Sequence, residues 1–388
     1  MKILAIETSC DETAVTVLEA SGTLERSSFR ILGDALYSQA KLHTEYGGVY
    51  PSLAKREHQK NLVPLATKAL TDADMFSKAQ YSISEENVEQ LRDESFRHDV
   101  RAFLESTEKP RIDLIAVTNG PGLEPALWTG VSFAQVLGAT WGIPVVGIDH
   151  MEGHIFSAFL KKEQEEYIIT APRFPVLSLL ISGGHTELIL MKHWCEYELI
   201  GRTRDDAVGE AFDKVARLLA LPYPGGPEMD AQAALGRARE TQNPVTLPRP
   251  MLHDDSCDFS FSGLKTAVLY LVRDMPHLSK DDIQNIAQEF EDAVRDVLVS
   301  KTKRAIERHA PQTLVVGGGV SANTYIREGL EELIRESHPD TALAYPAQGL
   351  TGDNAVMIGV SAYIRTLTGK ADTTQPLVAR GSQSLAEN

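Results

Sequence analysis

The feature that most restricts the fold is a pattern that occurs twice. Residues 2–6 (KILAI) form an apolar run, a polar turn through Glu7, Thr8, Ser9, Cys10, Asp11 and Glu12 follows, and a second apolar run continues to Leu18. The same form returns at 176–181 (VLSLLI), the turn 182–187 (SGGHTE) and 188–191. Each half later carries a β-branched run that enters a glycine-rich turn and then a helical pattern, at 114–122 and at 314–323. Long helical stretches lie between the strands. In 281–309 the residues Ile283, Ile286, Phe290, Val294, Val297 and Ile306 return to one face of a helix. Strands interleaved with such helices predict an α/β protein, and the echo predicts two duplicated domains with a cleft between them. The 388 residues suit two domains at about 150 residues each. Their expected limits are 1–149, completed by a C-terminal helix at 350–365, and 150–349, with a polar tail at 366–388.

Composition narrows the setting. The three cysteines, Cys10, Cys195 and Cys257, form no CxxC pair, which excludes a disulfide framework and a cysteine-rich zinc module and predicts a reducing cytoplasm. The apolar start is interrupted by Glu7 and lacks an export signal's charged region. The charge-free stretch 125–148 is broken at Gly142 and Pro144, so it reads as a buried helix followed by a strand and not as a membrane span. Segment 71–110 holds ten acidic against five basic residues and reads as a solvated surface insertion. Its second half forms an amphipathic helix with Val88, Leu91, Val100, Phe103 and Leu104 inward and Ser82 with Glu85 as a capping box. From Thr366 the chain reads as a frayed tail.

The sharpest local signal is HMEGH at 150–154, directly after a strand. Histidines four residues apart lie about 40° apart around a helix, so His150 and His154 can reach one cation. Glu152 falls on the opposite side, about 180° from their midpoint, unlike the glutamate of the zinc-peptidase HExxH motif. Asp353 is the candidate third ligand, and the N-cap of the helix that follows it is its alternative role. Glycine turns at 182–186, 223–227 and 316–323 bring bare amides near phosphate, ribose or carboxylate oxygens and together favour a nucleotide. There is no GxxxxGK[ST] loop. The formal match of Gly317, Gly319 and Ala322 to a dinucleotide fingerprint lacks the acidic residue that should end the next strand. Asp213 and Lys214 stand either at a ribose or in a surface ion pair.

In combination these stretches resemble the TsaD family, the tRNA N6-adenosine threonylcarbamoyltransferases, of the actin/Hsp70/sugar-kinase (RNase H-like) superfamily. The motifs in order are IETSCDET at Ile6, GGVYPSLAKREH at Gly47, VTNGPGL at Val117, HMEGH at His150, SGGHTEL at Ser182, GEAFDK at Gly209, YPGGP at Tyr223, DFSFSGLKTA at Asp258, GGGVSAN at Gly317 and GDNAVMI at Gly352. GEAFDK and SFSGLKT are similar to the bacterial and mitochondrial branch. The resemblance implies transfer of threonylcarbamoyl from threonylcarbamoyl-AMP to N6 of adenosine 37 in tRNAs reading codons that begin with A. It implies a divalent metal, iron first with zinc or manganese as alternatives, on His150, His154 and Asp353. It also implies an adenylate held by Ile181, Ser182, Gly183, Gly184, His185, Asp213, Gly226, Asp230 and Asn323.

Asp11 or Glu12 is expected to orient the reacting groups, with the turn at 8–12 facing that at 182–186. The implied partners are tRNA, a TsaB-like paralogue and a TsaE-like ATPase; a homodimer is compatible with the resemblance and a membrane is not expected. Tyr50, Ser52, Glu124 and Pro125 depart from the family pattern, and the insertion at 71–110 lengthens the first half. The net charge of −16 means that tRNA must meet a local basic patch. Candidates are Lys55 with Arg56, Arg202 with Arg204, Arg237 with Arg239, and Lys301, Lys303, Arg304 and Arg308. The rival readings are a non-catalytic nucleotide-binding scaffold of the same fold and, disfavoured, a metallopeptidase.

Overall fold

The twice-occurring apolar runs become central strands covered on both faces, as continuous hydrophobic runs require. The computed structural model describes residues 1–239, 242–275 and 277–387, and the chain divides into two units. The first unit comprises 1–41, 49–171 and 346–388, and the second 42–48 and 172–345.

The first unit is built on β1 (Lys2–Glu7), β2 (Glu12–Gly22), β3 (Arg26–Ser38), β4 (Leu114–Gly120), β5 (Val145–Asp149), β6 (Lys161–Glu163) and β7 (Glu166–Thr170), in the order β5-β4-β1-β2-β3-β7-β6. β1 runs antiparallel to β2 and parallel to β4, and β4 runs parallel to β5. Side chains alternate between the two faces of these strands. On one face Leu4, Ile6, Val15 and Val17 share a core with Leu62, Ala66 and Leu70 of helix Pro51–Asp72 and with Leu127 and Val131 of helix Glu124–Trp141. On the other, Ala5 and Leu18 meet helix Ala355–Leu367 at Gly359, where a Cβ would stand 2.4 Å from Leu18 Cδ2. The second unit contains β8 (Val176–Ile181), β9 (Thr186–His193), β10 (Glu196–Arg202), β11 (Thr313–Gly317) and β12 (Ala342–Ala344), ordered β10-β9-β8-β11-β12. Strands β10, β9, β8, β11 and β12 occupy the places of β3, β2, β1, β4 and β5, with the same parallel and antiparallel senses. The α/β class and the duplicated strand order are therefore both present.

Three sequence expectations are corrected by packing. The division falls between 171 and 172 and not at 149/150, because helix His150–Ser157 packs on helix Ala355–Leu367 and β7 pairs with β3. The acidic segment is not a solvated appendage. Its helix Glu94–Ser106 is capped by Asp93, which accepts from Phe96 N at 3.0 Å, in place of the expected Ser82–Glu85 box. Val88, Leu91, Val100, Phe103 and Leu104 do point inward, into the core that holds Phe133 and Trp141. The C-terminal tail is pinned as well, with Leu385 1% exposed and Arg380 N bonded to Asn119 O at 2.8 Å. The 125–148 stretch forms helix Glu124–Trp141 and then β5, as expected, and no described helix is long and apolar enough to cross a membrane.

Phe103→Ala should destabilise the protein by about 3 kcal/mol, the usual cost of emptying a buried aromatic position. Chemical denaturation followed by circular dichroism measures this; a loss under about 1 kcal/mol would return the segment to the surface.

Candidate functional site

In the first unit, β5 ends at Asp149, whose Oδ1 accepts from the amides of Met151 at 2.9 Å and Glu152 at 3.3 Å and so starts helix His150–Ser157. The rings of His150 and His154 face each other at 86°, with centroids 4.7 Å apart. Asp353 stands just before helix Ala355–Leu367. The cap of that helix is Asn354, whose Oδ1 accepts from Met357 N at 3.0 Å, so the Asp353 carboxylate is released from capping. Asp353 Oδ1 lies 3.3 Å from His150 Nε2 and 3.2 Å from His154 Nε2. One ligand atom from each of the three residues falls within 4.8 Å of the others.

These residues fit a cation. His154 is fully buried, yet neither of its ring nitrogens has a hydrogen-bond partner. Its Nε2 is near Asp353 without the alignment of a hydrogen bond, so the donor atoms converge on a common point. A buried orphan of this kind costs about 1–3 kcal/mol unless something satisfies it. Two imidazoles and a carboxylate are the donor set of a zinc, iron or manganese site with open positions.

Glu7, at the end of β1 and fully buried, was not singled out by the sequence reading. Its Oε2 lies 3.1 Å from His150 Nδ1 and accepts from Thr118 Oγ1 at 2.5 Å; its Oε1 accepts from Ser9 N at 2.5 Å. Such a carboxylate fixes a ligand imidazole's tautomer and presents the other nitrogen outward. Burial alone would lift the Glu7 carboxyl, but the His150 ring and Ser9 outweigh burial and Asp353 and hold it below the usual carboxylate range. Burial likewise opposes the charged His150 ring, yet Asp353 and Glu7 raise it well above the ordinary imidazole range. Partial burial opposes ionisation of Asp353, yet His150 and then His154 drive it far down.

Asp11 and Glu12 lie in the same unit, at the turn after β1. Burial, followed by the charges of Asp353 and Asp11, pushes Glu12 up to about 9, although Ser38 Oγ donates to it at 2.9 Å. The same burial, with Asp11 next, raises the Cys10 thiol well above its usual range. Glu152 points away from the histidines and pairs with Arg365 Nε at 2.7 Å, fully buried. It cannot serve as a peptidase base.

The second unit gathers the expected adenylate residues around the ends of β8 and β11. Ser182 Oγ accepts from the amides of Gly184 and His185 at 3.3 and 3.1 Å, closing the turn after Ile181. Asp213 Oδ1 accepts from Gly225 N at 2.7 Å. Asn323 caps helix Thr324–Ser337, and its Nδ2 donates to Glu291 Oε1 at 2.5 Å and reaches Asp230 Oδ1 at 3.5 Å. Burial pushes Glu291 up to about 7 against the pull of Asn323 and Arg237. A Cβ at Gly183, Gly184, Gly226 or Gly319 would meet nothing within 4 Å, so the chain at these glycines borders open space. Lys214 is an ion-pair partner of Asp206 and Glu210, at 2.8 and 2.9 Å.

Several basic candidates for tRNA are also engaged internally. Lys301 is fully buried and bonds to Asp254 O and Ser256 O, Arg237 binds Glu291 and Asp292, and Arg204 binds Asp258. Lys55 and Arg56 remain exposed.

Comparison with known proteins identifies a family. A family described as "TsaD: tRNA N6-adenosine threonylcarbamoyltransferase" matches residues 30–81 and 100–360, leaving out part of the acidic segment. The tRNA N6-adenosine threonylcarbamoyltransferase of Aromatoleum aromaticum is 39% identical over 97% of this chain and 95% of its own. That of Pelobacter propionicus is 40% identical over 93% and 91%. Among solved structures, the ROK hexokinase of Thermus thermophilus aligns over 95% of this chain and 100% of its own, at 13% identity and a TM-score of 0.43. The chain belongs to the TsaD family, the tRNA N6-adenosine threonylcarbamoyltransferases.

Proposed function

We propose that this protein transfers the threonylcarbamoyl group of threonylcarbamoyl-AMP to N6 of adenosine 37 in tRNAs reading codons that begin with A, releasing AMP. Membership of the family makes it an acyltransferase that forms t6A on tRNA. The observation that carries the finer reading is the convergence of His150, His154 and Asp353, with Asn354 taking over the helix cap. These three would hold one divalent cation, iron first and zinc or manganese as alternatives.

The exocyclic amine of adenine is a weak nucleophile, so the acyl carbonyl must be polarised and the departing phosphate stabilised. A cation on the three ligands would supply Lewis-acid polarisation of the threonylcarbamoyl oxygens. Amine attack forms the C–N bond, the C–O bond to phosphate breaks, AMP leaves, and N6 loses a proton. Glu7 orients His150. The glycine backbone at Gly183, Gly184 and Gly226, with Ile181, Ser182, His185, Asp213, Asp230 and Asn323, would hold the adenylate. Asp11 or Glu12 would orient the reacting groups. A TsaB-like paralogue and a TsaE-like ATPase would assist in the cytoplasm, and a homodimer is compatible with this reading.

Purified chain given threonylcarbamoyl-AMP and unmodified tRNA should yield the modified nucleoside by mass spectrometry, alone or once the two helpers are added. Absence of product in both arms would favour the scaffold. His154→Ala should lose bound metal and product together, and retained product without metal would overturn the metal's role. Glu152→Ala should lower stability by about 3 kcal/mol, because it removes the buried carboxylate of the Arg365 ion pair. A melting temperature unchanged in calorimetry would contradict that structural role.

A further inference from the structure

The C-terminal tail has no part in the function as described so far, yet it lies against the element that carries both histidines. Gln383 Nε2 donates to Asp149 Oδ2 at 2.9 Å, and the other oxygen of that carboxylate caps helix His150–Ser157. Upstream, Gly147 of β5 packs so closely on the tail that a Cβ there would come 2.4 Å from Leu377 Cδ1. Gln135 Nε2 donates to Leu377 O at 3.1 Å, and Gly122 N donates to Gly381 O at 3.0 Å. At Gly120, φ is +158° and a Cβ would collide with Arg380 O at 2.3 Å, so the tail backbone lies directly on the turn after β4. That turn leads on to the other side of the site: Leu123 N donates to Ser9 O at 2.7 Å, and Ser9 Oγ is 3.2 Å from His150 Nδ1. Within the tail, Ala379 and Leu385 are themselves buried.

We propose that residues 377–385 form a positioning strap for the His150/His154 pair, with Gln383 holding the Asp149 cap from which the two rings are aimed. The proposal rests on the metal reading above. A helix of eight residues has little stability of its own, so its start depends on the cap, and the cap carboxylate needs a partner for its second oxygen. Gln383 is a positioning residue and touches neither substrate nor ligand.

The test is metal affinity in the full chain, with Co2+ as probe under chelator competition and its visible ligand-field bands as the report on geometry. Gln383→Ala should weaken Co2+ binding about 10-fold and shift the bands, the usual scale for loss of an outer partner. Asp149→Asn, which still caps the helix and can pair with the Gln383 amide, should retain affinity within about 2-fold. Phe103→Ala, destabilising but remote, should leave affinity and bands unchanged. A Gln383→Ala protein with unchanged affinity and spectrum, or a Phe103→Ala protein that loses as much affinity, would overturn the strap. If the unaltered chain binds no Co2+, the metal reading itself fails, which is a distinct result.

Discussion

The site depends on the close approach of two short helices. His150–Ser157 and Ala355–Leu367 meet where Gly153 faces Met357, and a Cβ on residue 153 would come within 2.9 Å of Met357 Cγ. A larger residue would have to displace the Met357 side chain at this contact. The glycine of HMEGH thus sits where the two ligand-bearing elements approach each other. On the far side of the same helix, the buried pair of Glu152 and Arg365 ties the two elements together. Packing density, a missing side chain and one ion pair bring a carboxylate from position 353 to histidines two hundred residues earlier.

The duplicated strand order puts corresponding places to different uses. In each unit a glycine with positive φ, beyond the end of a parallel neighbour strand, abuts the backbone at the end of the first strand. A Cβ on Gly122 would meet Ser9 O at 2.6 Å, and one on Gly318 would meet Ile181 O at 2.5 Å. In the first unit the adjoining turn carries the carboxyl groups of Glu7, Asp11 and Glu12, the last pushed up to about 9 by burial. In the second the turn is Ser182, Gly183 and Gly184, with the Ser182 and Gly184 amides bonded to His185 O and Ser182 Oγ. One architecture therefore carries different chemistry at equivalent positions, and this follows from turn composition.

Much of this was legible because period and spacing report local structure. The alternating and continuous apolar runs marked the central strands, and the four-residue spacing of His150 and His154 marked a shared helical face. The long helix at 281–309 forms as Lys280–His309. What spacing could not report were relations set by tertiary contact. Asp353 had two open roles until Asn354 was seen to hold the cap. Glu7 gave no signal, since a lone glutamate at a strand end is ordinarily solvated. The acidic segment was misjudged because its net charge obscured the one apolar face that packs on Phe133 and Trp141. The tail's polar composition hides the backbone bonds at Leu377, Arg380 and Gly381 that pin it to the first unit.

Charge balance supplies a final constraint on what the site can hold. Asp149, Glu152, Glu7 and Asp353 all lie in or beside the histidine helix, and burial makes every uncompensated carboxylate expensive. Arg365 neutralises Glu152. Asp149 is pushed up to about 6 by burial, and Gln383 and the helix amides share whatever charge it carries. Glu7 and Asp353 are left, both shifted below the usual carboxylate range by His150, toward which both are directed. The carboxylates of Glu7 and Asp353 face the His150 ring, and the buried nitrogens of His154 have no hydrogen-bond partner. A cation held by the triad would offset that carboxylate charge and give the His154 nitrogen a partner, so one ion would answer both the charge and the coordination of its surroundings.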